Sequence, residues 1–99
     1  MPRIGGTFLF DYGRLAIRVK YLSATRLSWE QVRGPEVGSK AEEDYGSAAV
    51  RPDVDFLWWQ EKDSSVVSQV VDLEKGVVHT TWVSPDRKLS AFAGKVRPA

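Results

Sequence analysis

Between Leu15 and Tyr21 the chain alternates without a break: Leu15, Ile17, Val19 and Tyr21 are apolar or aromatic, and Ala16, Arg18 and Lys20 stand between them. Side chains on a strand point to opposite faces in turn, whereas helical neighbours lie about 100° apart, so this run specifies a strand with one buried and one wet face. The rhythm recurs along the chain, and turn-forming residues divide it. Asp11-Tyr12-Gly13 closes a first strand, "SAT" separates the second from "RLSWEQV", and Lys62-Asp63-Ser64-Ser65, Glu74-Lys75-Gly76 and Ser84-Pro85-Asp86-Arg87 end later ones.

The pattern predicts eight strands, at 6–12, 15–22, 25–33, 44–51, 54–61, 65–73, 77–83 and 88–96. One long connection, "GPEVGSKAEE" at 34–43, has room for a single helical turn. Hairpin-linked antiparallel strands in this number can close into an up-and-down barrel, which removes exposed edges. A two-sheet sandwich has the same periodicity, but the meander-like spacing favours the barrel. Its interior would be just large enough for side chains or one small ligand.

Composition narrows the functional classes. At 99 residues the chain suffices for one core, so residues 1–99 are expected to form a single domain. Lys and Arg number 14 against 13 Asp and Glu, a net charge of +1 that argues neither for nucleic acid nor for an anionic membrane surface. The basic residues are scattered rather than striped with aromatics, as an oligonucleotide-binding barrel would need. With no cysteine and one histidine, His79, neither a thiolate nor a His-based metal site is expected, and no motif implies a cofactor. No apolar run approaches the roughly 20 residues of a membrane helix. "MPRIGGTFLF" lacks the long apolar segment of a secretory signal, so a cytoplasmic location is expected.

The segment "VDFLWWQEKD" carries the sharpest functional signal. Strand geometry separates its two tryptophans: Phe56 and Trp58 share one face, Leu57, Trp59 and Glu61 the other. Both faces are apolar in the middle, which suits a strand whose outer face is also covered, as by a second subunit. Glu42-Glu43-Asp44 reads as a solvated acidic turn, with no calcium-loop spacing.

Several segments in order, "GGTFLFDYG", "LSATRLSWEQV", "RPDVDFLWWQE", "VVSQVVDLEKGVVHTTW" and "AFAGKV", resemble the MoaF-like proteins, a calycin (lipocalin-like) family. The most specific part is Trp59-Gln60-Glu61 followed, after a hairpin, by Val70 to Val78. A more distant likeness is to bacterial phenolic acid decarboxylases, small barrels in which the Trp and Glu of such a W-x-E strand line the interior. That resemblance implies that Trp59 and Glu61 face inward and Trp58 outward. The decarboxylases' two first-strand tyrosines correspond to Phe10 and Tyr12, and their third-strand arginine has Trp29 and Glu30 in its place.

The expectation is therefore a lipocalin-like barrel that binds a small aromatic or apolar molecule. Phe10, Tyr12, Tyr21, Trp29, Trp59, Glu61 and His79 are its candidate ligand-binding residues. A carboxylate in an apolar barrel has a raised pKa, which makes Glu61 the candidate acid or base if the protein is instead a small lyase, isomerase or cyclase. A filled barrel acting only through its outer face is the third reading. A homodimer through the Phe56 and Trp58 face is expected.

Overall fold

The computed structural model describes residues 3–99. Nine strands run in chain order: β1 (Thr7–Asp11), β2 (Ala16–Tyr21), β3 (Arg26–Arg33), β4 (Lys40–Asp44), β5 (Gly46–Arg51), β6 (Val54–Gln60), β7 (Val66–Asp72), β8 (Val77–Val83) and β9 (Leu89–Pro98). No helix occurs among the described residues. They form one sheet in the order β4-β3-β2-β1-β9-β8-β7-β6-β5, and every pairing is antiparallel.

The sheet curls into a nearly closed barrel. Its first and last strands, β1 and β9, pair from Phe8 with Pro98 to Asp11 with Lys95. The seam lies between β4 and β5, which follow each other in the chain with only Tyr45 between them. β4 pairs with β3, and β5 with β6, so one bent length of backbone steps across the gap. At the step, the Tyr45 amide donates to the Thr25 carbonyl at 3.0 Å.

The expected count of eight is corrected to nine by β4, which occupies the end of the segment read as a loop. Residues 34–38 form a turn rather than a helix. β4 escapes a periodicity search because its inward positions are Ala41 and Glu43, small and charged, instead of the large apolar residues that betray a strand. The other eight boundaries lie within about two residues of expectation, the usual scatter at strand ends.

Inward residues alternate as the pleat requires. Phe8, Phe10, Val19, Leu27, Leu57, Val67, Val71, Val78 and Val96 form the core with Tyr21, Tyr45 and Trp59. One end is stoppered by Arg3. Its Nη1 lies 2.5 Å from Asp55 Oδ2, Nε and Nη2 donate to Tyr45 Oη at 3.4 and 3.3 Å, and the guanidinium sits 5.3 and 5.5 Å from the ring centroids of Tyr21 and Tyr45. A buried arginine is tolerable only when its donors are taken up in this way. Asp55 supplies the countercharge, and the two rings offer their negative faces.

Candidate functional site

Towards the other end the inward residues change character. Tyr12 follows Phe10 along β1, Trp29 precedes Gln31 on β3, Trp59 leads to Glu61 on β6, and Phe92 lies on β9. Trp59 and Gln31 are buried, whereas Tyr12, Trp29, Glu61 and Phe92 keep part of their surface in water. Aromatic bodies with polar tips are the side chains suited to such a mixed environment.

Two indole–carboxylate pairs stand here. Trp59 Nε1 donates to Glu61 Oε2 at 3.1 Å, and Trp29 Nε1 donates to Glu43 Oε2 at 2.9 Å. The first pair is built along one strand and its end, from residues two apart. The second is built across the β3–β4 hairpin, where Leu27 opposes Glu43 and Trp29 opposes Ala41. The Ser65 hydroxyl has one proton to give either to Glu61 Oε1 at 3.1 Å or to Asp63 Oδ1 at 2.5 Å, and the Ser65 amide donates to Asp63 Oδ1 at 2.9 Å. That small turn fixes the carboxylate's direction.

Burial pushes the Glu61 carboxyl above its ordinary value, against the opposing pull of the Trp59 and Ser65 hydrogen bonds, and the negative charge of Glu43 pushes it further. The two glutamates therefore sense one another across the interior. A third polar group comes from Tyr12, whose phenol lies 2.7 Å from Thr80 Oγ1 and 3.4 Å from Gln69 Nε2, with its ring edge-on to Phe92 at 4.8 Å. Burial raises the Tyr12 phenol to about 12, so it is a neutral donor or acceptor at any physiological pH.

The structure brings Tyr12, Trp29, Trp59 and Glu61 to this end and separates the other candidates from it. Trp59 is inside and Trp58 outside, at 7% and 41% exposure, which settles the strand's phase. Phe10 is fully buried in mid-barrel packing. Tyr21 lies at the stoppered end under Arg3; its buried hydroxyl has no hydrogen-bond partner among the described residues, and burial drives its pKa up. His79 is exposed on the outer face, because β8 turns Val78 and Thr80 inward.

Sequence reasoning missed Glu43, Gln69 and Thr80. Gln69 carried a usable signal, since it shares its phase with the buried Val67 and Val71. Glu43 carried none beyond its alternation with Glu42 and Asp44. Among the described residues, no group of three or more His, Cys, Asp or Glu side chains could hold a metal ion.

A nearly closed antiparallel barrel, with Arg3 buried at one end and two indole–carboxylate pairs towards the other, places this chain among the small all-β barrel proteins. The chain belongs to the MoaF-like family, whose model matches residues 4–97. A solved structure with the same fold is that of a protein from Burkholderia vietnamiensis described as a putative beta-lactamase. It is 24% identical, with a TM-score of 0.95 over 100% of this chain and 97% of that one. A comparison with curated proteins found no match.

Proposed function

We propose that this protein is a lipocalin-like carrier or receptor for a small molecule with a flat aromatic or apolar body, received at the open end of the barrel. The observation that carries the reading is that Glu61 and Glu43, each held by an indole N–H, lie close enough for the charge of one to raise the other's carboxyl. Trp29 and Trp59 supply flat contact area for an apolar ligand. The carboxylates accept hydrogen bonds, so the ligand's polar end is expected to carry a donor, a hydroxyl or an amine.

Native mass spectrometry of protein purified without denaturation tests this, because it weighs a co-purified ligand with the chain. The ligand is expected on the wild type and on Trp58→Ala, and reduced or absent on Glu61→Gln. A ligand retained by Glu61→Gln and lost from Trp58→Ala would move the site to the outer face.

One observation also favours an enzyme. Burial shifts the Glu61 carboxyl upward, the direction that suits a general acid or base in a lyase, isomerase or cyclase. Unaltered ligand recovered after incubation would leave the binding role; a changed mass that depends on Glu61 would assign it catalysis.

A further inference from the structure

The outside of the barrel has two unlike halves. Across β2, β3 and β4 it carries Arg18, Lys20, Arg26, Glu30, Glu42 and Asp44, with Arg26 2.8 Å from Asp44 and 3.4 Å from Glu42, and Arg18 3.8 Å from Glu30. This is an ordinary wet surface of mixed charge, with Arg18 and Arg26 paired to its carboxylates. Across β6 to β9 the outward positions are uncharged for three successive rows.

The registers define those rows. Phe56 pairs with Val70, Val70 with His79, and His79 with Ala93. One step along, Trp58 leads through Ser68 and Thr81 to Ala91, and the next row runs from Gln60 through Val66 and Val83 to Leu89. Phe56, Trp58, Val66 and Val70 are 37–41% exposed, and the first two rings pack together at 5.2 Å. The Trp58 indole is laid flat over Gly46 on β5, where any Cβ would collide with it.

We propose that this face is where a second copy of the chain docks, with β6 of each protomer lying over β9 of the other. Three features select a copy of itself. With no Asp, Glu, Lys or Arg in these rows, the face carries no acidic or basic cluster to select a charged partner or repel an identical one. Its relief is self-complementary: Phe56 and Trp58 form a ridge on β6, and Ala91 and Ala93 leave a trough on β9, with β7 and β8 between. A two-fold axis running along the strands between β7 and β8 places each ridge in the other's trough, as an isologous contact requires.

The third feature is size. Strand spacing of about 4.8 Å over β5 to β9, and rows about 7 Å apart, give a flat footprint on the order of 500 Å². A patch on the order of 500 Å² stands at the upper end of what a monomer leaves open, where patches are often functional, and side-chain relief brings the accessible area towards the lower end of specific interfaces. Barrel exteriors are convex, so two copies diverge away from the axis. The long side chains on β6 fill that widening gap against the short ones on β9.

The experiment is sedimentation velocity over a dilution series, with two charge variants placed on the exposed face. Wild-type protein is expected to dimerise as concentration rises. Trp58→Lys alone and Ala91→Asp alone are expected to stay monomeric, each burying an unpaired charge against the partner. Mixed in equal amounts, they are expected to recover a dimer, because the lysine introduced on β6 of one then meets the aspartate introduced on β9 of the other, while the second contact keeps Trp58 against Ala91. A wild type that remains monomeric throughout, or single variants that dimerise as it does, would overturn the proposal. A mixture that stays monomeric beside a dimeric wild type would overturn the β6-over-β9 arrangement.

Discussion

Removing the stopper should be costly. In Arg3→Ala the Asp55 carboxylate loses its partner, the Tyr45 hydroxyl loses two donors while still donating to the Ser23 carbonyl at 2.7 Å, and the Tyr21 and Tyr45 rings lose the cation between them. Breaking a buried ion pair from one side costs about 3–5 kcal/mol. Asp55 retains 24% of its side-chain exposure and so is partly screened, which brings the expected loss down to about 2–3 kcal/mol. For a domain of this size each kcal/mol moves the thermal midpoint by roughly 4–8 °C, so a fall on the order of 10–20 °C is expected in a calorimetric or circular-dichroism melt.

The arrangement also dictates the rank of related variants. Arg3→Lys keeps the charge opposite Asp55 but cannot reach Asp55 and the Tyr45 hydroxyl at once, so it should fall between wild type and alanine. The double variant Arg3→Met with Asp55→Leu removes both charges and should recover much of the loss, since a buried pair exchanged for apolar groups is often neutral. Were Arg3→Ala to melt within about 2 °C of wild type, or the double variant to be the worst of the set, the arginine would not be sealing the barrel.

Glu61 makes the stability depend on pH in a direction opposite to the common carboxylate case. Its folded pKa is raised, so its contribution is fully present below the ordinary glutamate value and is lost as pH rises through the folded value. Melts across the acidic to neutral range should fall by less in Glu61→Gln than in wild type, and parallel curves would contradict the buried placement. Tyr12→Phe should cost about 0.5–1.5 kcal/mol, the worth of one hydrogen bond, because Thr80 keeps its contact with Gln69. The same variant should remove one phenol ionisation near pH 12 from an ultraviolet titration.

Much of the fold was legible because apolar alternation and turn chemistry agree along most of the chain. Leu15 to Tyr21 announced a strand, and β2 lies at Ala16–Tyr21; strand geometry put the two tryptophans on opposite faces, and Trp59 is buried while Trp58 is exposed. What stayed hidden was polar and inward. A search for periodicity treats a charged residue as a vote for solvent, so Glu43 turned a strand into an apparent loop. The rule fails there for a physical reason: Glu43 is admitted to the interior by the Trp29 indole, a partner that strand pairing brings close and sequence distance conceals.

The same reasoning explains why the two ends of the barrel differ. At the stoppered end a cation is neutralised by Asp55 and by the Tyr45 hydroxyl, and the surrounding rings close over it. Towards the other end the two carboxylates accept from neutral donors, indole N–H groups for both and a hydroxyl within reach of Glu61. Burial raises the Glu61 carboxyl, the neutral donors only partly offset it, and the charge of Glu43 adds to the upward shift. A ligand that brings a hydrogen-bond donor or a positive charge would relieve the repulsion between Glu61 and Glu43, and its binding should then raise the protein's stability most where both are ionised. Thermal shifts produced by such a ligand should therefore grow with pH through the range in which Glu61 loses its proton, and should be flat over that range in Glu61→Gln; a shift that is independent of pH in the wild type would mean that the ligand does not touch the carboxylates at all.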